Sequence, residues 1–122
     1  MPRYALLRHI NAPDDPTGCH YDLLLEAGGD CRTWRLASIP CKAAPAQAAV
    51  PLPAHRLVWL TARSAAVSGG RGWAERIAAG RFEGQLPDDP STPLRVRLLD
   101  GPLAGDLQIT YGRCLLQPLT QQ

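Results

Sequence analysis

The sequence predicts an all-β fold, mainly antiparallel, forming a small β-barrel with short helical turns. Three observations carry this. Twelve prolines and eleven glycines interrupt the chain at intervals too short for long helices. The stretch HYDLLLE (20–26) alternates, with His20, Asp22, Leu24 and Glu26 on one face and Tyr21, Leu23 and Leu25 on the other. AGGD (27–30) joins this run to a second one, CRTWRLA (31–37), as a tight hairpin connection does.

RYALLRH (3–9) reads as a first strand, and NAPDDPTG (11–18) as a turn-rich loop. KAAPAQAAVPLP (42–53) has alanines that suit a helical turn, but its prolines forbid a long helix. HRLVWLTA (55–62) reads as another strand and SGGRG (68–72) as a flexible loop. WAERIAAGRF (73–82) is ambiguous: propensity favours a helix, while Gly72 and Gly80 bracket it like a strand. QLPDDPSTP (85–93) is a loop. Residues 94–116 read as a β-hairpin, with Leu94, Val96 and Leu98 on one face and Leu107, Ile109 and Tyr111 on another. A strand tryptophan is usually core, and Trp34 is assigned there.

The length of 122 residues suits a single domain spanning 1–122, and 45% hydrophobic residues supply one core. No apolar run is long enough to cross a bilayer, and the charged start MPRYALLRHI does not read as a secretory signal, so a cytoplasmic protein is expected. A monomer is the expected state. The net charge of +2 excludes a histone-like polycation. Lys42 is the only lysine, and the other basic residues are arginine. Arginine suits bidentate phosphate contacts, and arginine-favouring codons give the same composition. Cys19, Cys31, Cys41 and Cys114 form no C-x-x-C pair and are read as reduced, partly buried thiols. Cys19, beside His20, is the one that could add a metal ligand. Glu26, at the far end of the His20 face, reads as structural.

His20 and Asp22 are two apart on a strand, so their side chains leave the same face roughly 7 Å apart. His9 ends the preceding strand. If the two strands are antiparallel neighbours, His9 lies across from the pair and completes a 2-His-1-carboxylate group suited to Mn²⁺, Zn²⁺ or Fe²⁺. Asp22 is then expected to be exposed to the site rather than packed. The alternative is a polar face on an edge strand, solvated or hydrogen-bonded, with no metal. The third histidine, His55, also sits at a strand start.

Across the chain, the run HYDLLLE-AGGDCRTWRL resembles the signature of the 3′-phosphoesterase domain of bacterial DNA ligase D: a histidine ending a strand, then H-Y-D-x-R-L-E, a glycine-containing turn and S-W-A-V-P-K-G-P. YALLRH (4–9) resembles the upstream strand and TWRLASIP (33–40) the W-A-V-P block. PAHRLVW (53–59) resembles E-D-H-P-L-x-Y, and SGGRGWAERIAAGRFEG (68–84) the glycine-rich run that follows. The final hairpin resembles the closing L-x-G-x-L-x-G segment. The resemblance implies a small β-barrel hydrolase that removes a 3′-phosphate or 3′-ribonucleotide in DNA repair, with a divalent metal, typically manganese. It implies His9, His20 and Asp22 as metal ligands and His55 as a group near the scissile phosphate, and it reads 73–82 as a strand. Its partners would be nucleic acid 3′ ends such as primer-template DNA, and a ligase or end-joining protein acting in trans.

The chain departs from that pattern at Leu24, where the signature has arginine, at Ser38 for lysine, at Trp59 for tyrosine and at Leu7 for a polar residue. Pro53 and Ala54 do not supply the acidic residue before the family's histidine. Other arginines must then supply the phosphate grip. Arg8 and Arg71 are the first candidates for charge neutralisation, with Arg35, Arg56 and Trp59 binding substrate. SGGRG reads equally as a bare turn. Two other functions stay open. One is a catalytically silent module that binds nucleic-acid ends or a repair protein. The other is a non-haem metal oxygenase, with His55 as the distal ligand.

Overall fold

The computed structural model describes residues 1–89 and 91–119. Ten strands build one antiparallel sheet: β1 (Arg3–Ile10), β2 (Cys19–Ala27), β3 (Asp30–Leu36), β4 (Gln47–Ala48), β5 (Val50–Arg56), β6 (Ser64–Ala66), β7 (Trp73–Glu83), β8 (Leu94–Leu98), β9 (Gly105–Thr110) and β10 (Arg113–Gln117). The order is β4-β10-β9-β8-β7-β1-β2-β3-β5, with β6 paired to β7. The helical content is a single 3₁₀ turn, Leu57–Leu60, among the described residues. The all-β antiparallel expectation therefore holds, but the pairing ladder does not close, and "barrel" describes the shape only loosely. Its two edge strands, β4 and β5, are consecutive in sequence. Buried Ala49 lies between them and donates its N–H to the Gly112 carbonyl at 2.8 Å.

Strand β2 is buried on both faces, which explains its near-continuous apolar run. Leu23 and Leu25 enter the main core with Tyr4, Leu6, Leu36 and Phe82. Leu24 points the other way, into a smaller cluster with Ala5, Leu7, Cys31, Leu60 and Ala74. Trp34 is 2% exposed in the main core. The second cluster forms the floor on which the polar end of the same face rests.

Four local readings are corrected. Of residues 55–62 only His55 and Arg56 are strand, and they end β5 rather than start a strand: Arg56 pairs with Asp30, the first residue of β3, and no edge remains beyond it. The chain instead turns, folding Leu57 and Leu60 onto the second cluster. The Ala/Pro segment makes no helical turn. It forms the edge strands β4 and β5, where prolines are tolerated. Residues 94–116 are three strands rather than one hairpin. Tyr111 does not share the buried face of Leu107 and Ile109; it sits at φ 51° in the β9–β10 turn and is 90% exposed. The ambiguous 73–82 segment is strand β7.

All four cysteines are free. Burial pushes the Cys31 and Cys114 thiols up to about 11 and about 12. Among the described residues no helix is long and apolar enough to cross a membrane.

Candidate metal centre and its cleft

The antiparallel pairing of β1 and β2 puts His9 directly opposite His20, and Leu7 opposite Asp22. The two imidazoles meet edge to face, with ring centroids 4.8 Å apart and planes at 64°. Asp22 lies between them. Its Oδ2 is 3.4 Å from His9 Nδ1 and its Oδ1 is 3.3 Å from His20 Nε2. His55, carried by β5, brings Nε2 to 3.8 Å from Asp22 Oδ2. His20 and Asp22 are 3% and 2% exposed, so Asp22 is packed almost completely and meets the cleft it lines through very little surface. The cluster sits on the Leu24 face, where the second apolar cluster supports it.

The outer nitrogen of each ring is held. His9 donates from Nε2 to the Arg71 carbonyl at 2.7 Å. His20 donates from Nδ1 to Asp15 Oδ2, also at 2.7 Å. His55 donates from Nδ1 to the Pro53 carbonyl at 3.2 Å. A carbonyl can only accept, so in the neutral rings the proton sits on the outer nitrogen and the inner lone pair faces Asp22. Asp15 is fixed in turn: Thr17 donates to its Oδ1 from the backbone N–H at 2.9 Å and from the hydroxyl at 2.6 Å. These bonds, Thr17 first and His20 next, hold the Asp15 carboxyl down at about 2, so it is ionised at neutral pH.

Two of the inner atoms lack a hydrogen bond. His20 Nε2 and Asp22 Oδ1 are both buried and make no hydrogen bond. Buried polar atoms are rarely orphaned, and an imidazole lone pair facing a carboxylate oxygen is mildly repulsive. A divalent cation between them would satisfy both. His9, His20 and Asp22 each place a ligand atom within 4.8 Å of the others, and together they could hold a metal ion. The donor set, two imidazoles and one carboxylate, suits Mn²⁺, Fe²⁺ or Zn²⁺.

Gly72 completes this arrangement. At φ +94° it occupies a region L side chains rarely adopt, and a Cβ there would collide with the Ile10 carbonyl and the Asn11 backbone. That close approach brings the Arg71 carbonyl onto His9.

His9, Asp22 and His55 open onto a cleft of about 550 Å³. Arg35, Arg56, Arg71 and Trp59 also line it. Arg71 is tied to its own loop, with Nε bonded to the Ser68 carbonyl at 2.7 Å and Nη2 to Ser68 Oγ at 3.0 Å. Trp59 is half-buried and packs its ring against the second cluster. Arg8 is outside the cleft. Alternation sends it to the face opposite His9, where it pairs with Glu75 at 3.7 Å and lies beside Cys19. The same alternation turns Cys19 away from the cluster, so neither joins the site. Leu24 is fully buried, and Ser38 is engaged with Gln47 through its N–H and hydroxyl. Glu26 clamps Arg3 and is structural. Asp15 and the Arg71 carbonyl were not visible in the sequence as site groups. The Asp-x-Thr spacing at 15–17 was the one available signal for the first.

The chain matches no protein-family model and no curated protein.

Proposed function

We propose that this protein is a metal-dependent phosphoesterase acting on nucleic acid 3′ ends, removing a 3′-phosphate or a 3′-terminal ribonucleotide. The observation that carries the reading is the orphaned pair His20 Nε2 and Asp22 Oδ1, set beside His9 at the base of an arginine-lined cleft. His9, His20 and Asp22 would hold the ion, with manganese the first candidate and zinc the second. A divalent cation there supplies charge withdrawal from a phosphate oxygen and a more acidic bound water.

The chain's own groups account for the rest. His55 holds its Nδ1 proton on Pro53 and turns Nε2 into the site, where a second proton can be passed to the leaving 3′ oxygen. Arg35 and Arg56 neutralise the non-bridging oxygens. Arg71 adds charge at the rim, and Trp59 offers a face for a terminal base.

The test is manganese-dependent phosphate release from a 3′-phosphorylated primer-template, with His20→Ala as control. Release that disappears in the variant is expected. A second reading, a binding module without turnover, is favoured by one observation: the position of the signature arginine is a buried leucine, Leu24. Metal bound with no release from any 3′-blocked end would select it.

A further inference from the structure

Among the described residues three arginines have the Nε–Nη2 edge fully engaged: Arg71 on Ser68, and two on carboxylates. Arg3 gives Nε and Nη2 to the two oxygens of Glu26 at 3.0 and 3.2 Å. Arg81 brings Nε and Nη2 to Asp100 Oδ2, both at 2.8 Å. Arg35 uses the same edge by half. Its Nη2 reaches Asp14 Oδ2 at 3.1 Å, while its Nε is buried and makes no hydrogen bond. Arg35 stands directly across the β2–β3 ladder from Asp22, and both it and Asp14 line the cleft.

Asp14 is a weak occupant of that edge. Its side chain is 69% exposed, and an exposed ion pair contributes little against solvent and salt. The carboxylate supplies one oxygen to one tooth of a two-toothed fork. A phosphate monoester dianion supplies two oxygens and twice the charge, and would satisfy both Nε and Nη2.

We propose that the Nε–Nη2 edge of Arg35 is the oxyanion-binding element of the cleft, and that Asp14 is a placeholder carboxylate which an incoming phosphate displaces. The substrate class rests on the phosphoesterase reading; the half-engaged fork does not. Arg35 then grips phosphate from β3, on the strand next to the one where Leu24 offers no charge. The loop that fixes His20 through Asp15 also carries, one residue earlier, the group that keeps the empty cleft from holding stray anions.

Titration calorimetry of inorganic phosphate into the full chain tests this, using wild type, Asp14→Ala, Arg35→Gln and the double variant. Removing Asp14 should tighten phosphate about fivefold, on the scale of one exposed ion pair. Arg35→Gln should weaken it by at least about tenfold, and the double variant should match Arg35→Gln alone. Arg35→Lys keeps the charge without the fork and should also bind weakly; melting curves establish that each variant is folded. The proposal is overturned if the Asp14→Ala gain survives in the double variant, if there is no gain, or if neither wild type nor Asp14→Ala binds phosphate. Acetate binding as tightly as phosphate would overturn the phosphate assignment. Failure of the phosphoesterase reading shows separately, as phosphate binding of this pattern without metal-dependent turnover.

Discussion

His9 and His20 are direct cross-strand partners, yet neither ring bonds to the other. Each spends its outer nitrogen on a different loop: His9 on the Arg71 carbonyl, His20 on Asp15. Two loops distant in sequence therefore set the ring orientations, and the strand pairing sets only their separation. The inner lone pairs converge on Asp22, and the predictions that follow test this division of labour.

Asp22→Asn preserves size at a site 2% exposed to solvent, so the variant should fold. It should lose the metal. A ligand at a hundred times its Kd stabilises a protein by about 2.7 kcal/mol, about 10 °C in Tm for a domain of this size. Wild type should show a manganese-induced rise of that order, reversed by EDTA, and Asp22→Asn should show none. A wild-type melting curve insensitive to Mn²⁺, Zn²⁺ and Fe²⁺ alike would remove the ligand assignment.

Asp15 acts on the metal through His20. Loss of such an outer partner costs 10- to 100-fold in metal affinity as a rough range. Asp15→Ala should fall in that range. Asp15→Asn, which keeps an oxygen acceptor for His20 Nδ1, should lose less. Direct Mn²⁺ titration followed by electron paramagnetic resonance separates the two. Equal affinities for wild type and Asp15→Ala would show that the His20 ring is held without its carboxylate.

Gly72→Ala places a methyl group against the Ile10 carbonyl, in a backbone conformation that alanine adopts only with strain. The 71–72 backbone must then lift from β1, taking the Arg71 carbonyl from His9. The variant should lose about 2 kcal/mol or more in urea unfolding, and bind metal more weakly as well. Gly28→Ala is the control. It too has positive φ, but its Cβ would meet nothing, so it should lose stability without losing metal affinity.

How much of this was legible follows from the range of each interaction. The β2 alternation and the Gly28–Gly29 turn are local, and they placed His20, Asp22, Leu23, Leu24 and Leu25 on their observed faces. The His9–His20 juxtaposition needed only one antiparallel pairing. Arg8 was misplaced although the same alternation, applied to β1, sends it away from His9. The 3₁₀ turn at 57–60 was hidden because its apolar residues match a strand pattern; only the length of β3, which ends the pairing at Asp30, decides it. Asp15 and Arg71 contribute through a loop carboxylate and a main-chain carbonyl. Such contacts depend on how loops fold back, and a backbone oxygen carries no residue-type signal at all.

Acid should weaken the fold through carboxylates held below their ordinary range: Asp15 beside the cluster, and two others far from it. The side-chain hydrogen bond from Arg3 holds the Glu26 carboxyl below its ordinary range, and the Arg81 backbone and side chain do the same for Asp100. A folded-state value below the unfolded one means the group stabilises the fold above its unfolded pKa, about 4 for a carboxylate, and that this contribution is lost as pH falls through the folded value. Urea midpoints should therefore be flat from pH 7 to about 5 and decline below about 4. Glu26→Gln removes the clamp on Arg3. It should cost up to about 1 kcal/mol at pH 7, the scale of a partly exposed bidentate pair, and nothing near pH 2, where wild type has lost the same charge. Midpoints for the two proteins that stay equally far apart from pH 7 to pH 2 would assign the loss to packing rather than to ionisation.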